Sequence, residues 1–471
     1  MISGAISGDA RTGKPRDLPR GPHTLTREQV AESQRRRLLD AMAQAVADRG
    51  YTSTTVANVI EDAGVSRKAF YAHFANREEC FLAACDIAIE AEVEKISRAS
   101  LSSPELELKA EQAIAILFDQ VRANPPLIRL ALVEIRALGE QGLVRRERRL
   151  QAHEQLLRRS LGFSARRKME PSPLLRALVG GINEILYDVA SRHRWPHRRE
   201  LVPAISSWAI TYSSPPPEIL VPPRTKAGRP QTSGGGGRAP GTLSPPPPSN
   251  KQRGLRGENT SSHSFVVHSQ RERVLDAVAT LSATNGYASV TVREIAEHAA
   301  ISMETFYEHF TSKEDAFLVA FELGHGKALA ITERAYQSAA TWGEGVRAAI
   351  DALFDFLSCE PTFARLALKE ALVATPRIYA LALKGVAAFT HILAPGLDSI
   401  ESESASQELT LDAVRGGIAE LCLTYATQEH PEAIRDVVAP ATYFALAPFI
   451  GNKDAERIAR GEAPRGRGRE T

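Results

Sequence analysis

Four cysteines among 471 residues, Cys80, Cys85, Cys359 and Cys422, are too few and too scattered for a disulfide framework. No CxxC pair or adjoining histidine set offers a zinc site, so reduced, half-buried thiols are expected. Long apolar runs are also missing. No stretch reaches the roughly 18 uninterrupted apolar residues of a membrane span, and residues 1–37 mix Arg, Lys, Asp and Pro without an apolar core. The expectation is a soluble cytoplasmic protein without membrane contact. Charge of one sign is lacking too: 58 basic against 56 acidic residues leave a formal net charge of +2, too small by itself to imply a nucleic-acid partner. No nucleophile is flanked by a base motif, and no phosphate-cradling glycine loop precedes a helix. The chain is therefore expected to be no enzyme and to carry no metal or cofactor.

The sequence does contain a long internal repeat. The segment Gly50, Tyr51, Thr52, Ser53, Thr54, Thr55, Val56 returns as Gly286, Tyr287, Ala288, Ser289, Val290, Thr291, Val292, a shift of 286 − 50 = 236. At the same shift Phe70, Tyr71, His73 and Phe74 become Phe306, Tyr307, His309 and Phe310, and Gly180, Gly181 become Gly416, Gly417. Solenoid repeats return every few tens of residues, so this is a doubled domain. Two copies are read, about 27–213 and about 264–450, in a chain whose 43% hydrophobic content can fill more than one core.

Between the copies, residues 214–262 hold Pro215 to Pro217, Gly234 to Gly237 and Pro245 to Pro248, a composition unable to bury enough apolar area to order itself. This reads as a linker whose basic residues either follow DNA phosphates or keep the segment solvated. The fragments Ala227 to Pro230 and Arg465 to Arg469 each resemble part of an AT-hook minor-groove motif, neither with the full pattern. Residues 1–26 are expected to be a flexible basic arm and 451–471 a basic tail.

Apolar residues recur at three- and four-residue intervals in both copies, as in Leu38, Leu39, Met42, Ala45, Val46 and in Val274, Leu275, Val278, Leu281. No alternating strand stands out, and the predicted fold class is all-α. After the break at Gly50, Thr55 is a good N-cap for a short helix ending near Ala63, and Thr291 with Glu294 makes a capping box in the second copy. Gly64 supplies a tight turn, and Ser66 (Ser302) caps a second short helix. This is a helix-turn-helix in residues 27–80, repeated in 263–316. Phe70 and Phe74 share its inner face, which leaves Arg67, Lys68, Tyr71 and His73 partly outside.

With Asn76, Arg77, Glu78 (Ser312, Lys313, Glu314) opening the next helix, this pattern resembles the DNA-binding domain of the TetR family. The remainder of each copy resembles that family in length and helical content. The resemblance implies that double-stranded DNA is the partner, with Ser66, Arg67 and Lys68 facing base edges and Thr55, Tyr71, His73 and Arg77 contacting phosphates. In the second copy the matching positions are Ser302, Met303, Glu304, Thr305, Thr291, Tyr307, His309 and Lys313. For Tyr71 and His73, packing is the competing role. The second copy departs from the pattern in having Ala300 where the turn glycine stands, and Met303, Glu304, Thr305 for Arg67, Lys68, Ala69. Its reader is thus weaker electrostatically or tuned to another sequence.

In this family the larger helical parts, here 81–213 and 317–450, bind an inducer and dimerise. Phe118, Tyr187, Trp208 and Tyr212 in the first, and Phe354, Phe356, Phe363, His391 and Tyr425 in the second, are candidates to line a pocket for a small apolar effector, or else ordinary core. Arg129 with Glu134, and Arg365 with Glu370, reads as an internal ion pair. The late glycine pairs suggest close helix approach, or else a kink. Two readings follow: a repressor released by an apolar ligand, or a constitutive DNA-binding or architectural protein with filled cores. The expected assembly is an intramolecular pseudo-dimer, with pairing between chains the rival.

Overall fold

The computed structural model describes residues 26–98, 103–161, 172–192, 198–214, 260–399 and 404–462. The N-terminal arm, nearly all of the linker and both arginine-bearing fragments lie outside them. Among the described residues the chain is helical throughout, with no strand.

In the first half, α1 (Arg27–Arg49), α2 (Val56–Ala63) and α3 (Arg67–His73) precede a long connecting helix, α4 (Arg77–Arg98). Then come α5 (Leu106–Ala123), α6 (Pro125–Leu132), α7 (Gly139–Ser160), α8 (Pro173–Arg192) and α9 (Arg198–Ile210). The second half repeats this order with α10 (Thr260–Asn285), α11 (Val292–His298), α12 (Met303–His309), α13 (Lys313–Gln337) and α14 (Trp342–Cys359). Here α10 starts at Thr260, inside the stretch read as linker.

The order then changes in detail. After α15 (Pro361–Arg365), a π-helical turn (Leu366–Glu370) and α16 (Ala371–Val373), the counterpart of α7 is broken into α17 (Pro376–Ala387) and α18 (Thr390–Leu393). Pro395 and Gly396 follow within a 3₁₀ turn, Ala394–Ser399, in place of a further α-helical turn. The half ends with α19 (Ser404–Ala426) and α20 (Val438–Ala459), which runs past residue 450 into the expected tail across a break at Gly451, φ +75°.

Duplication extends to single hydrogen bonds. The Tyr51 amide donates to Glu134 Oε2 at 3.0 Å and the Tyr287 amide to Glu370 Oε2 at 2.8 Å. These carboxylates tie the first helix-turn-helix to the 3₁₀ turn after α6 (Glu134–Leu138) and the second to the π-turn. Glu134 also pairs with Arg129 at 3.6 Å, as expected, whereas Arg365 turns instead to the Gln428 carbonyl. Three cysteines are buried, with burial pushing the Cys80 and Cys422 thiols up to about 12, and Cys359 is exposed.

The two halves meet along α8 and α19. A Cβ added to Gly181 would lie 2.5 Å from the Ala413 carbonyl oxygen, and one on Gly417 would lie 2.6 Å from that of Ala177. Since 177 + 236 = 413 and 181 + 236 = 417, each contact is the mirror of the other, as across a two-fold axis. Close approach, and no kink, is what the paired glycines serve. Tyr212 of α9's end stacks on Phe444 of α20 at 5.1 Å, and its hydroxyl donates to the Phe444 carbonyl at 2.8 Å. Charge joins the halves as well: Arg146 and Arg176 both pair with the buried Glu420.

Candidate nucleic-acid interface and effector cavity

Each DNA-reading unit is assembled by local rules. Thr55 accepts from the Asn58 amide and Asn58 bonds back, a reciprocal cap reproduced by Thr291 and Glu294. Gly64 turns the chain in the left-handed region at φ +61°, and Ala300 adopts the same turn at φ +51°, where a side chain is strained by about 1–2 kcal/mol. Ser66 and Ser302 then cap α3 and α12 by accepting from the Ala69 and Thr305 amides at 3.1 and 3.0 Å. Phe70 and Phe306 are fully buried, and Phe74 and Phe310 nearly so, which fixes how each short helix lies on its neighbours.

That packing turns the opposite face outward. Arg67 and Lys68 are exposed, and among the described residues neither is held by a hydrogen bond or ion pair. Met303 and Glu304 occupy the same exposed positions on α12. Tyr71 and Tyr307, on these same helices, are 52% and 54% exposed, large aromatic surfaces left in solvent. Thr55 and Thr291 are exposed at their caps. His73 is half-buried, its Nε2 3.5 Å from Gln34, and His309 has a buried Nε2 without a partner.

Arg77 and Lys313, expected at phosphates, are each held within the protein by backbone carbonyls. Arg77 donates to the Tyr51 and Thr54 carbonyls and lies 4.3 Å from the centre of the Tyr51 ring. Lys313 donates to the Tyr287 and Val290 carbonyls at 2.7 Å each and lies 4.2 Å from the Tyr287 ring. Both cations thus clamp the bend between the first two helices of their unit. The acceptors lie 23 and 26 residues upstream, too far for a local pattern to reveal.

In the larger part of the second half a cavity of about 500 Å³ opens among α13, α14, α17 and α19. Phe321, Ile350, Leu353, Leu357 and Phe363 make much of its wall, with Arg136, Gly180 and Tyr187 reaching it from the first half. Of the residues expected to line a pocket, Phe363 and Tyr187 do so. Phe118 and Phe354 do not, because both are core residues with at most 1% exposure. His391 is outside because its ring is bound at the surface to Glu333 at 2.6 Å. Glu333's hydrogen bond raises the His391 pKa. Tyr425 and Phe356 also lie off the wall, and Trp208 and Tyr212 belong to the junction of the halves.

The cavity's polar edge is made of paired charges. Arg415 meets Glu184 at 3.4 Å and Asp412 at 3.0 Å, while Arg146 meets Glu420. Burial would raise Glu420, but the Arg146 and Arg176 guanidiniums more than offset this and hold its carboxyl below the ordinary value. Arg136 lies against both rings of the Tyr187–Tyr379 pair, 4.4 and 4.7 Å from their centres, and donates to the Tyr379 hydroxyl. The wall residues Arg136, Tyr379 and His325 carried no local signal in the sequence.

Residues 38–84 and 274–320 each match the model of the family described as bacterial regulatory proteins, tetR family. The HTH-type transcriptional activator FasR of Mycolicibacterium smegmatis is 25% identical over 124 residues, which is 26% of this chain and 57% of that relative's length. Among solved structures, the transcriptional regulator FadR from Bacillus subtilis, in complex with stearoyl-CoA, is 25% identical with a TM-score of 0.33, covering 38% of this chain and 97% of that one. The fatty acid degradation regulator FadR from Bacillus halodurans is 18% identical with a TM-score of 0.35, covering 39% and 97%.

Proposed function

We propose a function from one premise: this chain belongs to the tetR family of bacterial regulatory proteins and carries the family's DNA-binding domain twice. It is a cytoplasmic transcription regulator whose two fused halves act as an internal pseudo-dimer, each half offering one reader to a single operator. Arg67 and Lys68 read guanine edges in one half-site. Met303 and Glu304 present a methyl-contacting side chain and an acceptor to the other, so the half-sites are unlike. A small apolar effector enters the second half's cavity and releases the protein from DNA, which makes the DNA-bound form a repressor.

The observation that carries this reading is the position of the cavity. Its wall includes Gly180, Asn183 and Glu184 of α8 and Gly416, Ala419 and Leu423 of α19, the two helices that join the halves. A molecule lodged there touches the elements that set one reader against the other, and a ligand that favours one arrangement shifts the population toward it. The reading of constitutive binding with filled interiors leaves this cavity unexplained.

Selection of preferred sites from random DNA, followed by titration, tests the reading. The expected site is an imperfect palindrome with unlike halves. Arg67→Ala with Lys68→Ala should cost about 1–3 kcal/mol of base discrimination per lost contact, confined to one half-site. A symmetric site, or unchanged affinity and preference in the double variant, contradicts it.

A further inference from the structure

Three positions that line the second half's cavity have buried polar counterparts in the first half. Positions 92, 149 and 153 hold Glu92, Arg149 and His153, all at most 3% exposed, with His153 Nε2 2.8 Å from Glu92 and Arg149 bonded to Asn183. Burial opposes the charge on Glu92, yet His153 and Arg149 hold its carboxyl below the ordinary value. The residues 236 further on are Ala328, Gly385 and Phe389, and all three line the cavity. Three side chains of an ionic cluster have been exchanged for a methyl, a hydrogen and an aromatic ring.

Arg136 breaks the symmetry in the other direction. Its counterpart is Leu372, also a wall residue, so the first half sends a cation into the second half's cavity and receives none in return. Among the described residues no carboxylate lies within ion-pair distance of Arg136, in contrast to Arg146 and Arg415. Its Nε is buried without a partner, and burial pushes the group down to about 10. The carboxylate that acts on Arg136, Glu184, is itself paired with Arg415 at 3.4 Å; a partly buried cation so weakly compensated gains from an anion brought by a ligand.

We propose that the chain has one effector receptor, built by both halves: an apolar molecule bearing an anionic group lies in the second half's cavity with that group against Arg136, while the Glu92–His153–Arg149 cluster denies the first half a receptor. This rests on the effector-responsive reading above. It makes the halves unequal, the second half holding the ligand and the first half reading its charge.

The full-length chain is titrated with two probes of similar size, the anion 1-anilinonaphthalene-8-sulfonate and the uncharged N-phenyl-1-naphthylamine, by calorimetry and fluorescence. One site per chain is expected for each. Arg136→Leu should weaken the anion at least tenfold and leave the neutral probe within twofold, which also shows that the variant's cavity is intact. Arg136→Lys should recover part of the anion's affinity. Carrying the cluster across, as Ala328→Glu, Gly385→Arg and Phe389→His, should abolish both. Two equal sites per chain, or an unchanged ratio of the two affinities in Arg136→Leu, overturns this proposal alone. Binding of neither probe removes the effector-responsive reading, and this proposal with it.

Discussion

Replacing Gly181 and Gly417 by alanine sets two physical effects against each other, and the sign of the outcome reports whether α8 and α19 are packed as described. In a helix with room around it, alanine for glycine stabilises by about 1 kcal/mol. Here the new Cβ would stand 2.5 Å from the Ala413 carbonyl oxygen at one site and 2.6 Å from that of Ala177 at the other, against 3.4 Å for ordinary contact. The helices would have to part by 3.4 − 2.5 = 0.9 Å and 3.4 − 2.6 = 0.8 Å to clear these backbone oxygens, and the Trp208 ring at 2.8 Å from the first Cβ and the Phe444 ring at 2.3 Å from the second would have to move as well. Overpacking of this kind costs about 1–3 kcal/mol, so each substitution should be neutral to destabilising by about 2 kcal/mol after the helix-propensity gain. The two sites face one another, so the pair is coupled. A net loss of about 2 kcal/mol in the double variant corresponds to a fall of roughly 4–8 °C in Tm for a unit of this size. Gly326, in α13 with nothing within 4 Å of its added Cβ, is the control, and Gly326→Ala should be stabilising. Scanning calorimetry of the two single variants, the double variant and the control decides the matter. Should Gly181→Ala and Gly417→Ala raise Tm as Gly326→Ala does, the close approach of the halves is refuted.

Ala300→Gly should stabilise the second reader by up to about 1 kcal/mol, because glycine relieves a left-handed strain of about 1–2 kcal/mol but loses more chain entropy on folding. Gly64→Ala should destabilise the first reader; denaturant midpoints of both variants check the opposite signs. Glu420 gives a pH dependence: its carboxyl is held below the ordinary 4.5, so its contribution is complete above that value and is lost as pH falls through the lower folded-state value. Glu420→Gln should lower stability at pH 7, by about 3–5 kcal/mol if the arginines are left without a counter-charge. It should also flatten the acid limb of a Tm profile taken from pH 6 to 3.5, and parallel limbs would count against the cross-half pairing.

The DNA-reading units were legible because their signals are local. Caps at Thr55, Ser66, Thr291 and Ser302, the turn at Gly64 and the i, i+4 pair Phe70 and Phe74 each act within a few residues, and the backbone follows them. The junction was legible in outline because two glycines at one place in each copy have few uses inside an apolar helix. The carbonyl partners of Arg77 and Lys313 were not legible because they lie on a different element, brought near only by the folded bend. The cavity was not legible residue by residue, since Phe363, which lines it, and Phe354, which does not, are alike in sequence and differ only in what surrounds them. Comparing the copies position by position offered a signal: polar residues at 92, 149 and 153 stand against small or aromatic ones at 328, 385 and 389.

The central claim is that a single chain does the work of a dimer, its α8 and α19 faces satisfied by each other. Light-scattering mass of the protein at nanomolar concentration, alone and on a duplex carrying one selected operator, tests it most directly. The account predicts a particle of one 51.2 kDa chain in both cases, with one chain per duplex. A stable two-chain particle that places four readers on DNA would contradict it.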